Sequence, residues 1–341
     1  MAIAPRQILR WLIISGGTLG ALLGLGLYLV SNHLLYPGQP QPELVHQAML
    51  ANPRASGFTI QPFTVQAPDG IVLKAMLLTP TAPSGTPTQN YQNFATRLRT
   101  AQFPLLPVDA APRGTILLLH GISGIKEHNL AIAERLVIAG YRCIIYDSRA
   151  HGESGGEFVS YGWQEVADAQ AVLDAAIAQF EIDPLEPFGL FGISLGASVG
   201  LQLLPQEPRL QAAVLVSPFS RLEDVMAETA APYVSEGGAR LLLPLVNRVM
   251  RWRTSGFEPE AIAPVEAATQ INIPTLLIHG EADDVIWPHH GERNYGAIVH
   301  SNKTWRTVPE GTHQDVLAVG GDTLYLEMVE FYLRTLSNVE P

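Results

Sequence analysis

A single cysteine, Cys143, stands among the 341 residues, so no disulfide can form within the chain. Charge is also scarce, at 16% of residues, and what there is leans acidic, with a formal net charge of −11. Proteins that bind nucleic acid need a basic face to replace the counterions of the phosphates. This composition argues against one, and no nucleic-acid partner is expected. With one cysteine and scattered histidines, no Cys/His cluster has zinc-ligand spacing, and no metal is expected. Cys143 falls in the apolar run 141–146, the setting of a buried strand thiol rather than a reactive one. Apolar residues are abundant, at 47%, enough for the core of one large α/β domain or two small ones.

Charge is wholly absent from residues 11–30, just after Arg6 and Arg10. At a rise of ~1.5 Å per residue this helical stretch covers about 30 Å, the thickness of a bilayer's hydrocarbon core. Trp11 and Tyr28 stand near its two ends, as interfacial aromatics do. Residues 1–30 therefore read as a single-pass membrane anchor. The two arginines place the N-terminus in the cytoplasm and the remainder on the extracytoplasmic side. A cleaved signal peptide is the rival reading, but no small-x-small cleavage site follows Val30. Residues 31–57 read as a polar juxtamembrane linker with a short helix around 43–50.

The globular part, residues 58–341, opens with two strands, 58–65 and 70–78, joined by Ala67-Pro-Asp-Gly70 as a β-hairpin. Residues 79–113 are rich in Pro, Thr and Gln. They read as a long loop, either a surface insertion over the site or a disordered excursion. From Gly114 onward short apolar strands (115–119, 141–146, around 190, 212–216, 275–278 and 305–308) alternate with helical segments, the last at 323–336. Such alternation means βαβ units and a mostly parallel sheet flanked by helices. The rhythm breaks at about 219–270, where 239–253 is apolar with four arginines and is interrupted by Pro244. This is expected to be a helical cap insertion over the pocket.

Chemistry concentrates where strands end, the edge at which parallel sheets place their sites. Gly192-x-Ser194-x-Gly196 sits between a buried strand and a helix of small residues, the setting of a nucleophile elbow. Side chains at Gly192 and Gly196 would collide with the neighbouring strand and helix. A serine needs a base within hydrogen-bond reach. His313 follows the last strand, and Asp283 the strand before it, giving the order Ser…Asp…His. Asp284, adjacent to Asp283, is the rival acid. His120 and His151 are expected to brace turns by side-chain hydrogen bonds. His289 and His290 are expected to begin a surface helix rather than bind metal. Tyr161 and Trp287 are either pocket-lining or core residues.

With these motifs in place the chain resembles the α/β-hydrolases, among them the Bem46-like and serine aminopeptidase-like serine hydrolases. Four motifs carry the likeness across roughly residues 58–336. They are His120-Gly121, Asp147-x-Arg149-x-His151-Gly152-x-Ser154, the elbow, and His279-Gly280-x-x-Asp283 with Gly311-x-His313. The resemblance implies an α/β-hydrolase fold, with Ser194 as nucleophile, His313 as base and then acid, and Asp283 holding the imidazole. It implies an oxyanion hole from the backbone N–H groups of Ile122 and Leu195. It further implies an acyl-enzyme route to cleaving an ester, thioester or amide, with no cofactor. The substrate is expected to be a small acyl compound, and an apolar cap suits a lipid-like one. Transfer of the acyl group to an alcohol, or a non-catalytic binding module on the same fold, are the alternatives. No paired-carboxylate cluster is evident to receive a free amino group, so peptidase activity is the less favoured.

Overall fold

The computed structural model describes residues 5–107 and 110–336, with side chains from residue 18 onward. Its centre is one eight-stranded sheet in the order β1-β2-β4-β3-β5-β6-β7-β8. The strands are β1 (Phe58–Gln66), β2 (Val72–Pro80), β3 (Thr115–Leu119), β4 (Arg142–Tyr146), β5 (Phe188–Ile193), β6 (Leu210–Val216), β7 (Thr275–Gly280) and β8 (Lys303–Val308). The β1–β2 hairpin is antiparallel and β2 joins β4 antiparallel. Every later pairing is parallel.

Alternation along the buried strands builds two cores, one on each face. Leu117, Ile144, Leu190 and Leu215 enter one. Ile116, Cys143, Phe191 and Val214, each one residue out of step, enter the other. This is the period-two consequence of the pleat. Cys143 is fully buried and burial pushes its thiol up, so it stays protonated.

Around the sheet pack α1 (Pro5–Leu35), α2 (Leu44–Ala51), α3 (Gln89–Thr100), α4 (Leu130–Ile138), α5 (Glu165–Phe180), α6 (Leu195–Leu203), α7 (Leu222–Val234), α8 (Glu236–Arg253), α9 (Pro264–Ala268), α10 (Pro288–Ala297) and α11 (Val316–Thr335). The closing helix is longer than its sequence suggests and kinks at Gly321, whose φ is 54°.

Two expectations change. The 79–113 segment is not a bare loop, because α3 lies within it. Thr88 caps α3 by accepting the Tyr91 N–H, and Phe94, Ala95 and Leu98 are buried. Tyr91, Phe94, Ala95 and Leu98 are spaced as one helical face, and that was the legible signal. The cap helix is not interrupted at Pro244, since α8 runs through it. Pro244 is exposed, so the carbonyl that loses its intrahelical donor can bond to water instead. Among the described residues no helix is long and apolar enough to cross a membrane. The expected span 11–30 falls in α1, but Arg6, Arg10 and Trp11 have side chains outside the described ones.

The C-terminal end of α1 docks on the body. Leu35 is fully buried in one core, and its carbonyl accepts the Val159 N–H at 2.9 Å. Tyr161 Oη donates to Leu34 O at 2.7 Å. From the end of α8, Arg253 donates to Ser31 Oγ at 2.7 Å and to Asn32 Oδ1 at 3.1 Å. Its guanidinium lies 4.2 Å from the centre of the Tyr28 ring. The segment 31–57 is docked as well, with Gln39 Nε2 donating to Ala150 O at 2.7 Å.

Candidate active site

Each chemically interesting residue follows the carboxyl end of a strand: His120 after β3, Asp147 after β4, Ser194 after β5, Ser217 after β6, Asp283 after β7, and His313 after β8. At the elbow the chain must turn from β5 into α6 at once. Ser194 takes φ 53° and ψ −116°, a strained conformation for a residue with a side chain. Its N–H is held by Val216 O at 2.8 Å. A Cβ on Gly192 would lie 2.6 Å from Gly196 O, and one on Gly196 would lie 2.3 Å from Leu119 O. Both positions exclude any side chain, so strand, turn and helix meet at contact distance.

Ser194 Oγ lies 2.8 Å from His313 Nε2. His313 Nδ1 lies 2.8 Å from Asp283 Oδ2. With the ring proton on Nδ1 and donated to Asp283, Nε2 is free to accept the serine proton. Asp284 is exposed, and Asp283 is the acid that reaches the histidine. Burial works against the Asp283 charge, but hydrogen bonds from His279 and His313 and from the Ile286 N–H outweigh it. Its carboxyl is held well below the usual range. The other oxygen, Oδ1, accepts the Val285 and Ile286 N–H groups at 3.1 and 2.8 Å. His279, whose role was not foreseen, stands 3.4 Å from Asp283 Oδ2. The four-residue spacing in His279-Gly-x-x-Asp283 was its only signal.

Beside Ser194 runs the segment His120-Gly121-Ile122. A Cβ on Gly121 would touch Ser194 Cβ at 3.4 Å. The Gly121 carbonyl accepts from Gly124 N at 3.0 Å and from His120 Nδ1 at 2.8 Å. Because the peptide unit is planar and trans, this turns the Ile122 N–H to the opposite side. The Leu195 N–H begins α6, where helix N–H groups have no partner within the helix.

His120 and His151 both act as braces. Ser148 N donates to His120 Nε2 at 3.0 Å, and Ser123 N donates to His151 Nε2 at 3.2 Å. A nitrogen that accepts an N–H cannot carry a proton, so both rings are neutral. Burial first, then the neighbouring His151, depress His120 from 6.5 to about 3. The unfolded chain therefore binds a proton at this residue between pH 6.5 and about 3 that the folded chain does not, and stability falls as pH falls through that window. By pH 5 the loss from His120 is about 2 kcal/mol. Denaturant melts at pH 7 and pH 5 check this. A His120→Asn variant is expected to show a shallower pH dependence than the parent.

The turn beneath is held by buried ions. Asp147 Oδ1 accepts Lys126 N at 2.7 Å, and its Oδ2 accepts Lys126 Nζ at 2.8 Å and Glu153 N at 3.0 Å. Arg149 grips Asp168 with two bonds, at 2.6 and 2.7 Å. His289 and His290 depart from the surface-helix expectation in part. They do begin α10, but His290 is fully buried, with Nε2 2.9 Å from Glu228 Oε2 on α7. Among the described residues, Glu228, His289 and His290 are the group whose ligand atoms lie close enough to share a metal ion, within 4.8 Å of one another. None of the three lines the cavity over Ser194. Of the two aromatic residues singled out, Tyr161 lines that cavity and Trp287 does not.

Several known proteins are similar to this chain. A family model described as serine aminopeptidase, S33, matches residues 110–261, from before β3 through the cap and including Ser194. The alpha/beta hydrolase domain-containing protein WAV2 of Arabidopsis thaliana is 28% identical over 227 residues, covering 64% of this chain and 69% of that protein. The chain has the α/β-hydrolase fold, a mostly parallel sheet flanked by helices. It is also similar to the protein bem46 of Schizosaccharomyces pombe, at 25% identity over 64% of this chain and 67% of that one. In fold it is similar to an esterase of Pyrococcus furiosus, with a TM-score of 0.63 and 18% identity, covering 89% of this chain and all of that one. Together these relationships support hydrolase chemistry.

Proposed function

We propose that this chain is a serine hydrolase of the α/β-hydrolase superfamily that cleaves carboxylic esters through an acyl-enzyme on Ser194. The observation that carries the reading is the continuous chain from Ser194 Oγ through both His313 nitrogens to Asp283. As Oγ attacks the ester carbonyl carbon, its proton passes to His313 Nε2, and Asp283 stabilises the imidazolium. The carbonyl oxygen gains charge and takes the N–H groups of Ile122 and Leu195. Collapse of the tetrahedral species expels the alcohol, which leaves with the proton from Nε2. Water then repeats the sequence on the acyl-enzyme and frees the carboxylic acid. All protons are accounted for by His313, so the sequence calls on no other group.

Hydrolysis of p-nitrophenyl butyrate by the full-length chain, followed at 400–410 nm on the released nitrophenolate (roughly neutral pH and above), tests this. Turnover that disappears in Ser194→Ala supports the reading, and turnover retained in that variant sinks it.

A further inference from the structure

Above Ser194 lies a cavity of about 1260 Å³. That exceeds the ~300–1,000 Å³ usual for small-molecule sites. Ser194, His313 and His120 line it, and most of the remaining lining residues are apolar. It extends between α7, α8 and α1. Leu22, Gly26, Leu29 and Val30 of α1 line one side, and Leu243 and Val246 of α8 line another. The α1 residues follow helical spacing, so they form one stripe. From Leu22 to Leu34 the stripe runs for about 18 Å. The wall is fastened in place, since Arg253 bonds Ser31 and Asn32 and stacks on Tyr28.

We propose that α1 is the outer wall of an acyl-chain subsite, and that the substrate class is an ester of a long unbranched acyl chain. The proposal rests on the serine hydrolase reading for the reaction but not for the binding. A two- to four-carbon acyl group would fill only the part next to Ser194. A longer chain lies along the α1 stripe, with its carbonyl carbon at Ser194 and its methyl end toward Leu22. Each methylene moved from water into the subsite is worth about fourfold in affinity.

Gly26 offers a clean test. A Cβ built there meets no heavy atom within 4 Å, so a side chain at this position projects without disturbing the backbone. Replacing a helical glycine also favours the helix. Gly26→Phe places a ring in the subsite, at a distance from the reacting groups. In full-length protein, kcat/KM for p-nitrophenyl esters is expected to rise from butyrate to dodecanoate. Gly26→Phe is expected to lower the dodecanoate value at least tenfold, with the butyrate value within twofold. Binding of dodecanoate, below its micelle-forming concentration, is measured in parallel on Ser194→Ala with and without Gly26→Phe. A tenfold or greater weakening by the ring is expected. Equal dodecanoate binding with and without the ring, or no binding to either, overturns the subsite. If neither ester is turned over but dodecanoate binding still depends on Gly26, the reaction assignment fails and the subsite stands.

Discussion

Asp283→Asn is expected to lower kcat for ester hydrolysis by about 10⁴-fold while leaving KM within a small factor. The reason lies in how the carboxylate is held. Its Oδ1 accepts two backbone N–H groups, from Val285 and Ile286. In asparagine the carbonyl oxygen must keep that position, because an NH2 there would face two donors. The NH2 is then driven to the place of Oδ2, against His313 Nδ1. It can only donate, so Nδ1 must give up its proton and the ring must carry it on Nε2. That nitrogen then points a proton at Ser194 Oγ and cannot accept one. Geometry is preserved and the base is lost. Steady-state kinetics on wild type and variant check this. A fall of less than about tenfold would mean that another acid orients His313.

Lys126→Met is expected to destabilise the fold by about 3–5 kcal/mol, lowering the melting temperature by about 10 °C. Lys126 and Asp147 are both buried, with 3% and 0% side-chain exposure, and their charged atoms lie 2.8 Å apart. Methionine fills similar volume but leaves the Asp147 carboxylate buried with only backbone donors. The Lys126 ammonium is held charged against its burial by Asp147 and Glu153. Esterase activity is expected to fall too, because the loop from His120 to Lys126 carries the Ile122 N–H. Calorimetry gives the first quantity. A change in melting temperature of under 2 °C would show that the pair contributes no more than an exposed one.

Much of this site could be read before the fold was seen, for reasons that are local. Gly192 and Gly196 tolerate no Cβ, and that demand is visible in three adjacent motif positions. Strand ends at His120, Asp147, Ser194, Asp283 and His313 follow from short apolar runs, so their convergence follows from a parallel sheet. The spacing from His279-Gly280 favoured Asp283 over Asp284, and in the structure Asp283 is the one that reaches His313. The buried Glu228–His290 pair, at 2.9 Å, joins residues 62 apart through the cap packing, and no spacing signals it. The apolar face of α1 shows the same limit. A run of leucine, glycine and valine suits a bilayer, and residues 22–30 suit an acyl chain as well. Contacts far along the chain, such as those from Arg253, more than 220 residues away, show which face meets the body. Helix α3 was missed for a different reason. Proline and threonine at 79–88 obscured a helical face that begins at Tyr91.

An activated Ser194 is the claim on which the chemistry stands, and covalent labelling tests it without any choice of substrate. Full-length wild type, Ser194→Ala and His313→Ala are exposed to a fluorophosphonate probe, and the labelled residue is located by mass spectrometry. The expected result is one label per wild-type chain, on Ser194, none on Ser194→Ala, and labelling slowed by several orders of magnitude on His313→Ala. A folded wild type that takes no label, or a label that persists in Ser194→Ala, would contradict it.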